Sequence, residues 1–293
     1  MNGAARAAGA ISESDLLRLE ARAEHRYADN AGVRIHYAAI GQGPLVVMLH
    51  GFPDYWLTWR HQMAALAKPY RAAALDMRGY NLSDKPKGVE SYKTRNLVAD
   101  VAAVIAAEGE KRAVIIGHDW GGATAWAVAM HRPELVERLI VLNMPHPWTL
   151  ARLLAENPEQ RANAQYARNF QNPEYYKQIS LERLGGWVMD PAARAKHLEA
   201  MRRSDPQAMM HYYQANYPRE PYAAPEGAPK LVQVPTLLIH GLGDKALLSE
   251  GLNGVWNYVA SDLTIVTIPG AGHFVQQDAA ELVSRTIVAW LGR

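Results

Sequence analysis

The 293-residue sequence contains no cysteine. That removes disulfides, thiolate nucleophiles and cysteine metal sites together. Neither sign of charge dominates: 31 Lys and Arg stand against 29 Asp and Glu, a net charge of +2. There is no basic stripe interleaved with aromatics, so no nucleic acid partner is expected. No apolar run approaches the ~20 residues of a membrane-spanning helix, and no membrane partner is expected. Met1 to Ile11 is rich in Ala and Gly with one Arg, without the apolar stretch of a signal peptide; it reads as a disordered start to a cytoplasmic protein. The histidines are scattered without ligand spacing, so neither metal nor cofactor is expected. What remains is an ordinary globular composition, 49% hydrophobic and 20% charged. It suits one large α/β domain, or a domain plus a lid.

A reactive motif is absent too. G-x-S-x-G, the serine form of a nucleophile elbow, does not occur, which argues against a serine-type esterase. Ile116-Gly117-His118-Asp119-Trp120-Gly121-Gly122 takes its place. The apolar run Ala113 to Ile116 leads in, and a helical stretch from Ala123 to His131 leads out. Strand, sharp turn and helix are the setting of such an elbow, with Asp119 where the serine would stand. The turn forces its central residue into an unfavourable conformation against neighbouring backbone, so its flanks must be small. The first N–H groups and the dipole of the following helix favour an ionised carboxylate there. Taken alone, the heptapeptide could equally be a turn with an aspartate cap.

The rest of the chain supplies context. Two strands between His25 and Ile40 flank the turn Asp29-Asn30-Ala31-Gly32. Leu45-Val46-Val47-Met48-Leu49 reads as a parallel strand buried on both faces and runs into His50-Gly51-Phe52-Pro53-Asp54. A helix (Trp56 to Lys68), a strand (Arg71 to Leu75), a helix (Asn96 to Glu108), the elbow strand (Arg112 to Ile116) and a strand (Leu135 to Asn143) follow. Helical stretches with many tyrosines and prolines then replace the alternation. Strands return at Val234 to His240 and Leu263 to Ile268, before one closing helix from Asp278 to Leu291. The pattern predicts an α/β fold, a mostly parallel sheet flanked by helices. Residues 1–24 form an N-terminal extension, 25–145 and 230–293 the core, and 146–229 an inserted helical lid.

Asp119, Asp244 and His273 all follow strands at their carboxyl ends, in the order nucleophile, acid, histidine. One crevice can collect them. Singly, a turn carboxylate and a loop histidine are commonplace; their joint placement favours a triad. An aspartate nucleophile is ionised near neutrality and needs no base to attack. It can displace a leaving oxygen or halide at saturated carbon and form an alkyl ester. His273 would activate water against that ester, with Asp244 orienting it. The backbone N–H groups of Phe52 and Trp120 would meet the oxyanion.

His50-Gly51-Phe52-Pro53-Asp54-Tyr55-Trp56, Asp76-Met77-Arg78-Gly79-Tyr80, Gly117-His118-Asp119-Trp120-Gly121-Gly122, Gly243-Asp244 and Gly272-His273-Phe274 share a pattern. With them the chain, from about residue 25 to its end, resembles an epoxide hydrolase of the α/β-hydrolase superfamily. The resemblance implies two lid tyrosines donating to the epoxide oxygen, and Tyr166 and Tyr213 fit those places. Tyr212 is the neighbouring rival, and Gln214 stands where the family often has Arg. The resemblance also implies a cis bond at Phe52-Pro53. Asn81, at a position commonly Gly, is expected at positive φ, which Asn tolerates. His50 and His118 are assigned to structure. Asp54 either holds a water or charge near the site or caps the next helix. Phe52, Trp120, Phe170, Tyr212 and Phe274 are expected around an apolar pocket, with a small apolar epoxide and water as partners. Nothing decides between monomer and homodimer.

Two rivals share the scaffold. A haloalkane or haloacetate dehalogenase uses the same nucleophile but needs indole donors or cations at a halide. Two candidate phenols favour the epoxide. A ligand-binding protein on a hydrolase scaffold would not need an apparently complete triad.

Overall fold

A computed structural model describes residues 13–293; the expected disordered start, 1–11, lies outside the described residues. A helix, α1 (Glu13–Arg22), precedes the first strand. The strands are β1 (Glu24–Asn30), β2 (Val33–Ile40), β3 (Leu45–Leu49), β4 (Arg71–Leu75), β5 (Ala113–His118), β6 (Val136–Leu142), β7 (Thr236–Gly241) and β8 (Leu263–Ile268). They form one sheet in the order β1-β2-β4-β3-β5-β6-β7-β8. β1 and β2 are antiparallel to their neighbours, and every pairing from β4 to β8 is parallel.

Local chemistry explains the elements. The β1–β2 turn has Ala31 at φ 52° and Gly32 at φ 86°. Two positive φ values match the twist of a tight hairpin. β3, β5 and β7 are buried along their whole lengths, the condition of parallel strands covered on both faces. The helices α2 (Arg60–Leu66), α3 (Thr94–Ala107) and α4 (Trp120–His131) connect or cover them. The stretch expected as one helix after β3 begins as a 3₁₀ turn, Trp56–Trp59, before α2.

Between β6 and β7 lie α5 (Pro147–Glu156), α6 (Pro158–Asn163), α7 (Gln165–Phe170), α8 (Leu181–Leu184), α9 (Pro191–Arg203) and α10 (Pro206–Asn216). Four prolines of this region start helices. Pro147, Pro158, Pro191 and Pro206 each open one, where a missing N–H costs nothing. His146, Asn157, Asp190 and Asp205 precede them, and each side chain accepts from a free N–H of the first turn. The closing helix expected from Asp278 to Leu291 is α12 (Ala280–Leu291), preceded by a short helix, α11 (Val275–Asp278), from which Ala279 separates it with φ −129° and ψ 42°.

β3 sits at the topological switch: β4 lies on one side of it and β5 on the other. The crevice beyond the carboxyl ends of β3 and β5 is where such sheets collect ligands. The loop 50–55 and Asp119 both open into it.

Candidate active site

Asp119 occupies the step from β5 to α4 with φ 51° and ψ −122°, a conformation unfavourable for any residue with a Cβ. Close approach of backbone holds it there. A Cβ on Gly117 would lie 2.2 Å from the Gly121 carbonyl oxygen, and one on Gly121 would lie 2.1 Å from that of Leu49. The expected need for small flanks is met at both positions. The Asp119 carboxylate is nearly fully buried, at 5% exposure. The Phe52 N–H donates to its Oδ1 at 2.7 Å. Phe52-Pro53 is cis. Trp120 is the first residue of α4, so its N–H is one that the helix leaves over.

The three expected polar residues converge. His273 Nδ1 lies 2.8 Å from Asp244 Oδ2, and its Nε2 lies 3.6 Å from Asp119 Oδ2. The shorter contact is a hydrogen bond; the longer one leaves the imidazole facing the carboxylate without one. Asp244 is itself fixed, because its Oδ1 accepts from the N–H groups of Ala246 and Leu247. Burial would raise Asp244, but the charge and hydrogen bond of His273, with Asn143 and the Leu247 N–H, bring it down to about 2. Burial would likewise lower His273, and Asp244 together with Asp119 raises it to about 10. Asp119 is pushed up by burial, yet His273, His118 and the Phe52 N–H outweigh this and hold it below the ordinary carboxylate range. At neutral pH the resting site is therefore an imidazolium between two carboxylates.

Asn143, just past β6, went unnoticed in the sequence. Its Nδ2 donates to Asp244 Oδ2 at 2.7 Å and to the Gly272 carbonyl at 3.2 Å, and its Oδ1 accepts from the Gly241 N–H at 3.1 Å. One buried amide thus ties together the loops carrying Asp244 and His273. An asparagine at a strand end is the only sequence signal, and it is weak. Asn143 holds φ 41°, so Asn143→Ala loses these bonds and meets backbone strain. The expected cost is ~2–4 kcal/mol in urea unfolding; unchanged stability would mean that water replaces the amide fully.

His118, expected to turn away from the crevice, is not among the residues lining the cavity. It is not idle: its Nε2 lies 2.8 Å from the His273 carbonyl oxygen, and burial with the charge of His273 lowers it to about 4, so the neutral ring donates to that carbonyl. His50 Nδ1 donates to the Gly51 carbonyl, and its Nε2 accepts from the Met77 N–H. Asn81 has φ 37°, as expected, and its amide donates to Asp76. Asp54 is buried beneath the loop with its Oδ1 accepting from the Tyr55 N–H, and burial raises it to about 7.

A cavity of about 440 Å³ opens on Asp119 and Trp120 and is roofed by Tyr166 and Tyr213. The two tyrosine rings stand 6.1 Å apart at 82°. Burial first, and then the neighbouring tyrosine and Asp119, keep both phenols well above their usual pKa, so each retains its proton. Tyr212 resolves differently from its neighbour. Its hydroxyl donates to the Arg78 carbonyl at 2.8 Å, on the far side of α10. The expected pocket lining is corrected in part. Trp120 lines the cavity, whereas Tyr212, Phe52, Phe170 and Phe274 do not. Phe52 and Phe170 pack behind Tyr213, with ring centres 5.7 Å and 4.9 Å from it. Phe274 stacks on Trp187 at 3.6 Å. Gln214 donates to the Phe170 carbonyl and so joins α10 to α7, the two helices that carry the tyrosines.

Residues 44–280 match the family model described as the alpha/beta hydrolase fold. Epoxide hydrolase 1 of Caenorhabditis elegans is 34% identical over 92% of this chain and 70% of its own length. The AB hydrolase superfamily protein YfhM of Bacillus subtilis is 32% identical over 91% and 97%. Among solved structures, a mutant epoxide hydrolase from Bacillus megaterium, complexed with its naphthyloxy-propanediol product, superposes with a TM-score of 0.84. It is 30% identical and covers 92% of this chain and 100% of its own. The chain belongs to the α/β-hydrolase superfamily and, within it, to the epoxide hydrolase family. Among the described residues, no helix is long and apolar enough to cross a membrane.

Proposed function

We propose that this hydrolase opens an epoxide to a vicinal diol through an ester on Asp119. The observation that carries the reading is that Asp119, Tyr166 and Tyr213 face one cavity. A buried carboxylate and two protonated phenols are the nucleophile and the hydrogen-bond donors that ring opening requires. Asp119 Oδ2 attacks a ring carbon from below. The C–O bond breaks, and the phenols donate to the oxygen as it takes the electron pair. Asp119 Oδ1 keeps the Phe52 N–H and becomes the ester carbonyl.

Alkylation also converts His273 from acid to base. Part of what raises its pKa is the negative charge of Asp119, and the ester removes that charge. The imidazolium then releases its proton, which ends on the substrate alkoxide held by the phenols, and the neutral ring can take one from water. Asp244 keeps the ring's Nδ1–H oriented and stabilises the cation that re-forms. Water attacks the ester carbon, the Phe52 and Trp120 N–H groups receive the oxyanion, and the diol leaves. On this reading the helices between β6 and β7 act as a lid that supplies the phenols. Buried Gln160 of α6 holds them to the acid loop, donating to the Ala246 carbonyl and accepting from the Leu248 N–H.

The test is single-turnover ring opening of styrene oxide beside a haloalkane of similar size. Diol is expected from the epoxide only. Replacing both tyrosines with phenylalanine should slow opening ~100–1000-fold, the usual effect of removing donors to a developing oxyanion. An unchanged opening rate would move the donors elsewhere, and faster halide release than epoxide opening would favour the dehalogenase.

A further inference from the structure

The lid meets the core in two ways. Through α10 and α6 the bonds are direct: Tyr212 to the Arg78 carbonyl, and Gln160 to Ala246 and Leu248. Nearer the base, Trp187 and His197 of the lid meet Asp54 and Thr58 of the core and Gln277 of α11 around a second cavity, of about 10 Å³. Four polar atoms of its lining are buried and met by no described residue: Asp54 Oδ2, Tyr55 Oη, Trp187 Nε1 and His197 Nε2. Asp54 and His197 are 1% and 2% exposed. Such atoms are rarely left unmet in a folded protein, because each forfeits its hydration. Neither Asp119 nor His273 lines this cavity, so it is separate from the reacting site.

The four atoms are complementary. His197 Nδ1 faces Asp54 Oδ1 at 3.8 Å, so the ring carries its proton there. Burial lowers His197 to about 4, which leaves Nε2 an acceptor. Asp54 Oδ2 is the second acceptor; the Trp187 indole and the Tyr55 hydroxyl are donors. Two donors and two acceptors around a space that just admits a water-sized probe match the full valence of one water molecule.

Trp187 has a further contact. Its ring lies flat on that of Phe274, 3.6 Å away and 3° from parallel. Phe274 follows the base, and its ring stands 5.1 Å from that of His273. It is also 5.5 Å from the ring of His118, which donates to the His273 carbonyl. One turn on, Gln277 donates to Thr58 Oγ1, and Thr58 lines the small cavity. Neither Trp187 nor Phe274 lines the large cavity at Asp119.

We propose that the small cavity is a one-water site that pins the Trp187 indole, and that Trp187 is a positioning residue for His273. It acts through Phe274 on ester hydrolysis and leaves ring opening alone. The role rests on the ester reading above and gives the lid a part in the second half-reaction, besides the phenols that serve the first.

A crystal structure of the whole protein should show density for one water within hydrogen-bond reach of Trp187 Nε1, His197 Nε2 and Asp54 Oδ2; a dry cavity would overturn the water site. Single-turnover reaction with styrene oxide, quenched and read by intact-protein mass spectrometry, separates appearance of the ester from its decay. Trp187→Leu should slow the decay roughly ten-fold, short of the ~100-fold that a 1 Å misplacement can cost, with ester formation unchanged. Trp187→Phe, which keeps a flat ring on Phe274, should recover part of that rate. His197→Leu should lose the water and slow the same step less; an unchanged decay with the water gone would overturn the link between them. Phe274→Leu should repeat the Trp187→Leu defect and carries the test if that variant does not fold. Combining the two should add little, because they act along one path. Equal slowing of both steps, or an unchanged decay, would overturn the positioning role. Diol formed by the wild type and by His273→Gln with no ester at any time would instead reject Asp119 as nucleophile, and the positioning role with it, while the density still decides the water site.

Discussion

Asp119→Ala is expected to abolish diol formation, with a loss on the order of 10⁴- to 10⁶-fold, the range seen when a covalent nucleophile is deleted. The fold should survive, because the strained backbone at φ 51° loses only its Oδ1 bond from Phe52. A thermal melt near the wild-type value would confirm that the loss is chemical. The same residue allows a second measurement. In heavy-oxygen water under single-turnover conditions, the entering oxygen should appear in the Asp119 carboxylate, and the diol should leave with an oxygen from the enzyme. This follows because water attacks the ester carbon rather than the substrate carbon. Label found only in the first-turnover diol would mean that His273 activates water directly against the ring, and Asp119 would lose its role.

His273→Gln should separate the two half-reactions. Ester formation continues, while its hydrolysis falls ~100–10,000-fold, the contribution of a positioned general base. Intact-protein mass spectrometry should then show an adduct of enzyme plus one substrate. The variant also removes an influence that keeps Asp119 below the ordinary carboxylate range. The acid limb of ester formation should therefore move to higher pH, since the carboxylate must now ionise against burial alone, aided by the Phe52 N–H. In the wild type, ester hydrolysis should rise with pH through an apparent pKa below 10. That value belongs to the resting site, where Asp119 still carries its charge. Hydrolysis that ignores pH across this range, or a variant that forms no adduct, would count against the assigned base.

The elbow was legible in the sequence because its constraint is local. Gly117 and Gly121 sit where a Cβ would strike the Gly121 and Leu49 carbonyls, and such contacts leave one residue type. The strands were legible for a similar reason: burial on both faces writes a continuous apolar run, as in β3. The short helix α11 ahead of the closing one was not, because four residues are too few to show a helical period. Tyr212 and Tyr213 could not be told apart either. Adjacent helical residues point about 100° apart, and which one faces the cavity depends on how α10 is rolled against the core. Contact of the Tyr212 hydroxyl with the Arg78 carbonyl fixes that roll.

The sequence by itself determined the kind of chemistry. A carboxylate in a glycine-flanked turn, followed by an acid and a histidine at later strand ends, needs only strand order and local sterics to be read. Only the tertiary structure decided how these groups are tuned and what reaches them. Asn143 joins two loops that are neighbours only because β6 lies beside β7. His273 is held near 10 by carboxylates that are remote in the chain. The cavity at Asp119 exists because Ala123 and Ala127 of α4 share it with Tyr166 and Tyr213, which come from helices inserted between β6 and β7. Such features depend on distances between segments, and a sequence encodes those distances only through the packing of the whole chain.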